Sequence, residues 1–506
     1  MQIILCPCCG GQVVFRSAAS VMTVCEYCQS TLLKDAESVK DIGKVATLLE
    51  DYSPLQITSS GTFQGRHFDL LGRIQLRYEA GFWNEWHLLF DDGASGWLSD
   101  ASGQYVLTQA QNGAAPQQSP QSQQSPQASQ ISAPAFDALR PGTRYGYQGA
   151  TFFASDIRIA RCLSWQGELP FRVDRGWEAK VADFRCDHRF LTLDYSDSST
   201  PETFLGQAVT LEQLQCQLLR DNDAISSSAG RFRGQTVALD CPNCGGSIKY
   251  LAGMAFHIVC PSCHSQIDCS TDKALVLQKA EEVAQVATTL ALGDRANIGG
   301  SKYEAIGFLQ CHAGDEEESS TWVEYLLFGD KQDFLWLVES SEGWEKIAVL
   351  NEWPAQTDGD AVRVQTQSYQ RTESYDATVI YAAGAFNWRA AVGDVTRITD
   401  YQQGNRKISA EATDQEIVWN ASQKVAASQI GQWFGKQLAD TAEKSDSEAD
   451  GSLLSFKPAI VFSALLVILN LPISLGSGAH GIKLMFWALL ILWAPPVIIR
   501  YFLKKA

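Results

Sequence analysis

Cys6, Cys9, Cys25 and Cys28 are spaced as C-x2-C, fifteen residues, C-x2-C, and the same arithmetic returns 235 positions on at Cys241, Cys244, Cys260 and Cys263. The first pair of each set lies in a Cys-Pro-x-Cys-Gly-Gly context, a tight turn that lets two thiolates converge while backbone N–H groups point at sulfur. Two such turns supply four thiolates, which is the ligand set of a closed tetrahedral zinc site with no open position for chemistry. A second set with the same gap makes the signature a duplication. Cys8 stands where the second copy has Asn243, so it is expected to be a spare thiol.

The other cysteines (Cys162, Cys186, Cys216, Cys269 and Cys311) show no framework spacing, and the first residues lack the basic and apolar regions of a secretory signal. Reduced thiolates holding metal then point to a cytosolic setting. The run Cys260-Pro-Ser-Cys263-His264 also fits a c-type haem attachment, but that chemistry needs export and the first copy ends in Gln29 instead. Zinc is therefore the expected ion, two per chain, with iron chemically allowed in the same four-sulfur set. The formal net charge of −17 argues against broad nucleic-acid binding, which needs a basic footprint.

The duplication continues beyond the cysteines. Helix-like stretches are expected at residues 38–51 and 273–292, followed by β-like sequence in which Trp83-Asn-Glu85-Trp86 answers Trp322-Val-Glu324-Tyr325. Another tryptophan, Trp97 or Trp336, stands fourteen residues beyond the first. Alternation places Trp86, Leu88 and Phe90 on one strand face, and Asp91-Asp92-Gly93 reads as a hairpin turn. A second β block carries Gly167, Phe171, Gly176, Asp183 and Phe184 in one copy and Gly384, Trp388, Gly393, Asp400 and Tyr401 in the other. Each copy closes on a helix-like segment, at 211–221 and 421–440. A Gln/Ser/Pro-rich insert at 109–135 has too little apolar surface to fold, so the blocks it separates are expected to be small sheets or barrels in their own right.

Two apolar runs within 456–503, flanked by Lys457, Arg500, Lys504 and Lys505, predict a pair of transmembrane helices with both ends in the cytoplasm. The expected fold class is thus mainly β with flanking helices. It comprises two tandem units of zinc ribbon, helix and paired small β-sheet or barrel blocks, plus a C-terminal transmembrane helical hairpin. The expected divisions are a ribbon at 1–37, a first β-rich unit at 38–230, a second ribbon at 236–272, a second unit at 273–440, an acidic linker at 441–455 and the membrane hairpin.

The aromatic, acidic and glycine positions of these two β blocks resemble the bacterial domain-of-unknown-function family 4178, in two tandem copies. That resemblance implies an association with membrane-stress proteins and no defined chemistry. No P-loop, dinucleotide fingerprint or nucleophile elbow appears. Trp83 with Glu85, and Trp322 with Glu324, are the candidate ligand-binding residues, since an acid beside an indole can hold a cation such as a polyamine. The competing reading makes each Glu a solvated strand residue, and Asp183 and Asp400 are expected to serve turn backbone. The leading functional expectation is an adaptor at the bacterial inner membrane that binds protein partners. The alternatives are a zinc-ribbon nucleic-acid-binding protein and an enzyme or sensor of a cationic small molecule.

Overall fold

The computed structural model describes residues 2–17, 19–34, 39–44, 51–111, 133–174, 176–221, 223–225, 239–248, 257–269, 275–278, 286–314, 319–329, 333–356 and 360–438. The expected acidic linker and membrane hairpin, and residues 112–132 of the insert, lie outside them. Among the described residues no helix is long and apolar enough to cross a membrane.

The two β blocks of a copy do not fold as separate bodies, contrary to the sequence expectation. In copy one Arg66–Arg77, Phe82–Phe90, Ser95–Ala101 and Gln104–Ala110 form one four-stranded meander, and Ala150–Leu169, Glu178–Cys186, Arg189–Asp194 and Glu202–Val209 form another. A lone meander leaves two unpaired edges. Here each edge is covered by the other half. Gln104–Ala110 pairs antiparallel with Glu202–Val209, and Arg66–Arg77 pairs with Ala150–Leu169, which closes an eight-stranded barrel. Copy two closes in the same way, through Gly343–Val349 against Ile417–Val425 and Ser301–Gly314 against Gln367–Phe386. The Gln/Ser/Pro insert merely joins the two halves, and its first two residues still belong to the strand Gln104–Ala110.

Trp86, Leu88 and Phe90 do share one buried face, packed under Leu55 and Leu214 from the flanking segments. The hairpin at residues 91–94 joins its strands as expected, with Gly93 at φ 84°. The described parts of the expected helices at 38–51 and 273–292 are not helical, and residues 45–50 and 279–285 lie outside the described residues. Val39–Lys44 is a strand on the edge of Ser30–Lys34, and Leu275–Gln278 is its counterpart beside Gln266–Asp268. A short apolar run fits either period, and an available sheet edge decides it. Residues 211–221 are irregular, and the described part of 421–440 carries the short helix Ala427–Phe434 after a strand that runs to Val425.

Each ribbon is built onto its barrel. Met22–Val24 pairs with Glu168 and Leu169 at the end of the long strand, and His257–Val259 pairs with Gly384–Phe386. In copy one the joint is locked by Glu168, which is 3% exposed and accepts bonds from the N–H groups of Arg16 and Ser17 and the hydroxyl of Ser20. The barrels also contact each other: the N–H of Ile157 donates to the Gln415 carbonyl, that of Trp353 to the Asp187 carbonyl, and Trp353 stacks on Phe153.

Beside each ribbon joint, two glycines face across the closing seam, Gly72 with Gly167 and Gly307 with Gly384. A Cβ on Gly167 would lie 2.2 Å from the Leu71 carbonyl oxygen, and one on Gly384 would lie 2.3 Å from that of Ile306. Both have positive φ, 70° and 99°. Gly167→Ala or Gly384→Ala should therefore cost at least about 1–3 kcal/mol in backbone strain alone. Urea melts should show this loss, whereas Gly176→Ala, also at positive φ but in open space, should cost less.

Candidate metal centres and an acid-lined barrel lumen

Both cysteine sets converge, each with all four sulfurs within 4.8 Å of one another. Cys6 and Cys28 sulfurs are 3.7 Å apart, as are those of Cys9 and Cys25; the second set gives 3.6 Å for Cys241–Cys263 and 3.9 Å for Cys244–Cys260. Thiolates at about 2.3 Å from a tetrahedral ion stand about 3.8 Å from each other, so each set fits one four-coordinate metal. Hairpin backbone shapes the site: Gly10 donates to the Cys6 carbonyl and Gln29 to that of Cys25, matched by Gly245 to Cys241 and His264 to Cys260. Gly10 and Gly245 take positive φ, as do Gln29 and His264.

The N–H groups of Gly11, Tyr27, Cys28 and Ser30 reach sulfurs of the first set, and those of Gly246, Ser262, Cys263 and Ser265 reach the second. The Ser30 hydroxyl and N–H hold the Cys28 thiol down at about 6. Cys8 is exposed and outside the set, while Asn243 in its place donates to the Cys263 sulfur. Cys6→Ser and Cys241→Ser should each remove one of two bound metal equivalents, read by elemental analysis of the purified chain.

The candidate ligand residues face the inside of the barrels. In copy one the Trp83 indole N–H donates to Glu85 at 2.7 Å, and the Ser99 hydroxyl donates to both carboxylate oxygens at 2.9 and 2.8 Å. Trp322 donates to Glu324 at the same 2.7 Å in copy two. Neither Glu is the solvated strand residue of the competing reading. In copy one the inward faces of the strands enclose a cavity of about 750 Å³, which reaches Trp353, Trp388 and Glu416 of copy two. Asp183 departs from its expected turn role as well. It sits mid-strand in this lumen and accepts the Thr192 hydroxyl at 2.6 Å, and its equivalent Asp400 accepts that of Ser409. Neither serves a turn.

The sequence reading missed Asp194, Thr192 and Trp177, which also line the cavity. The signal was present: Asp194 and Glu411 keep the same 217-residue offset as Asp183 and Asp400. Of the histidines, His87 is fully buried with Nδ1 3.1 Å from the Glu168 carbonyl, and burial pushes its pKa down to about 4. It is a packing residue behind the ribbon joint.

Burial pushes Glu85 up to about 7 against its bonds from Ser99 and Trp83, and the charges of Asp194 and Asp100 add to the shift. Asp183 is pushed up to about 7 by burial too, with Glu85 adding and Thr192 opposing. Between the ordinary carboxylate range and about 7 the folded barrel therefore holds protons that the unfolded chain has released, so stability falls with rising pH across that window. Urea midpoints should drop from pH 5 to pH 7.5, and Glu85→Gln should flatten that slope.

No curated protein and no solved structure matches the chain. The family described as Domain of unknown function (DUF4178) matches residues 56–211 and 291–427, each match spanning all eight strands of one barrel. Together the two matches cover more than half of the 506 residues, and the chain belongs to that family in two tandem copies.

Proposed function

We propose that the chain is a non-catalytic adaptor of bacterial type, tethered at the cytoplasmic face of the inner membrane by the apolar runs within 456–503, and that its first ribbon docks a protein partner. The observation that carries this reading is an apolar tip on a rigid mount. Ile3, Leu5 and Tyr27 are 57%, 67% and 72% exposed. Leu5 and Tyr27 adjoin Cys6 and Cys28, whose sulfurs are 3.7 Å apart, so both side chains belong to one knob. The second ribbon has Asp240 and Ser262 at the equivalent positions. Isolated exposed apolar residues are ordinary, but an apolar tip on one ribbon and a polar tip on its duplicate is the pattern of a surface kept for contact.

Zinc is the metal in this reading. Four thiolates in closed geometry give a structural centre that stiffens a small hairpin with little core of its own, and redox chemistry is not required. The mount is then fixed to the first barrel through Glu168. A photo-crosslinker at Tyr27 of the membrane-extracted chain should capture one stoichiometric partner. Leu5→Asp with Tyr27→Asp should abolish capture in a competing full-length chain while zinc stays at two equivalents. Undiminished competition by the double variant would reject this docking site, and labelling of the ribbons from outside intact cells would reject the cytoplasmic placement.

A further inference from the structure

The two barrels are duplicates with differently furnished interiors. In copy two Lys407 brings an ammonium group into the lumen, 3.2 Å from Glu345 and 3.8 Å from Asp400. Strand register gives the equivalents in copy one. Asp183 pairs with Thr192 as Asp400 pairs with Ser409, which places Phe190 at the position of Lys407. Ser99 pairs with Val106 as Val338 pairs with Glu345, which places Val106 at the position of Glu345. Asp183 is thus retained as the counterpart of Asp400, Glu345 gives way to Val106, and the lysine is replaced by an aromatic ring.

Among the described residues two arginines face the copy-one cavity, fewer than its acids. Arg158 is held by Asp156 at 2.7 Å and by Glu416, while Arg185 donates to the Asn351 carbonyl, lies 5.4 Å from the Phe190 ring and acts on Asp183 through space. Among the described residues no lysine lines the cavity, and seven acidic residues do. Around them the walls are aromatic: Trp97 packs on Phe171 with ring centres 5.8 Å apart, Phe171 on Trp177 at 5.5 Å, and Tyr78 on Trp83 at 5.8 Å. Acids with indole faces suit an ammonium head, because the ring quadrupole adds to carboxylate attraction where water is scarce.

We infer that the lumen of the first barrel binds one small organic ammonium ion with an apolar body, its head at Asp183 and Glu85 where the second barrel seats Lys407, and its body against Trp83, Trp97 and Trp177. The second barrel carries its own ammonium and binds none.

Calorimetric titration of the metal-loaded full chain with hexylammonium tests this, with 1-hexanol as the neutral match and hexanoate as the anionic one. One equivalent of hexylammonium should bind at least tenfold more tightly than hexanol, and hexanoate should not bind. Phe190→Lys should weaken hexylammonium at least tenfold while both metal equivalents are retained. If that variant fails to fold, Asp183→Asn with Glu85→Gln should show the same loss. Equal affinity for hexanol, two equivalents bound to the unaltered chain, or undiminished binding by a folded Phe190→Lys or Asp183→Asn/Glu85→Gln protein would overturn the inference.

Discussion

The closing seam, where one four-stranded meander zips onto the other, is the constraint on which the rest of the structure depends. A meander exposes a row of unpaired N–H and C=O groups at each edge, and closure removes both rows at once. At the ribbon end of that seam the strands approach so closely that neither side tolerates a Cβ, and glycine faces glycine in both barrels. The 20-residue strands Ala150–Leu169 and Gln367–Phe386 run through the seam and on into the ribbon joint. One strand thus serves the barrel wall and the ribbon mount together, and metal-site geometry is tied to barrel closure through continuous backbone.

The ribbons contribute in a different way. Each has a small apolar core, such as Cys241, Ile248, Ile258, Cys260 and Ile267 in the second, and two of those core residues are ligands. A core of that size does not hold a domain alone, so the barrel edge and a metal on the four thiolates would share the task. In copy one Glu168 adds a buried carboxylate whose bonds come from ribbon backbone and the Ser20 hydroxyl. Copy two has Ala385 at that position. The duplicated architecture therefore rests on shared backbone pairing, and the side chains of the joint have diverged.

Divergence of the interiors follows the same logic. A closed barrel of eight strands has an interior that side chains can fill or leave open to a small ligand, depending on their size and charge. Copy two fills part of it with a lysine-centred polar cluster, in which Asn420 also binds Glu411 at 2.7 Å. Copy one keeps Asp183 and Asp194 as counterparts of Asp400 and Glu411, exchanges Glu345 for Val106, Lys407 for Phe190 and Asn420 for Phe204, and leaves a cavity. The fold is common to both, and what each lumen can hold is set by a few inward positions.

The cysteine spacing by itself determined the two four-sulfur clusters, because four thiolates on two tight turns leave one geometry open to them. The duplication, the strand face of Trp86, Leu88 and Phe90, and the turn at Gly93 were legible for a similar reason: period and turn chemistry are local properties. The motif glycines Gly167 and Gly384 were visible as letters, but the close approach that requires them belongs to strands far apart in sequence. Tertiary structure alone decided that two blocks make one barrel, since either block presents the same alternation whether it closes on itself or on its partner. It also decided that residues 39–44 pair as a strand where apolar spacing suggested a helix, because a sheet edge was there to receive them. The lumen required it most of all. Glu85, Asp183 and Asp194 lie on three strands, and only closure turns their inward faces toward one another and away from bulk water, which is what gives those carboxyls their chemistry.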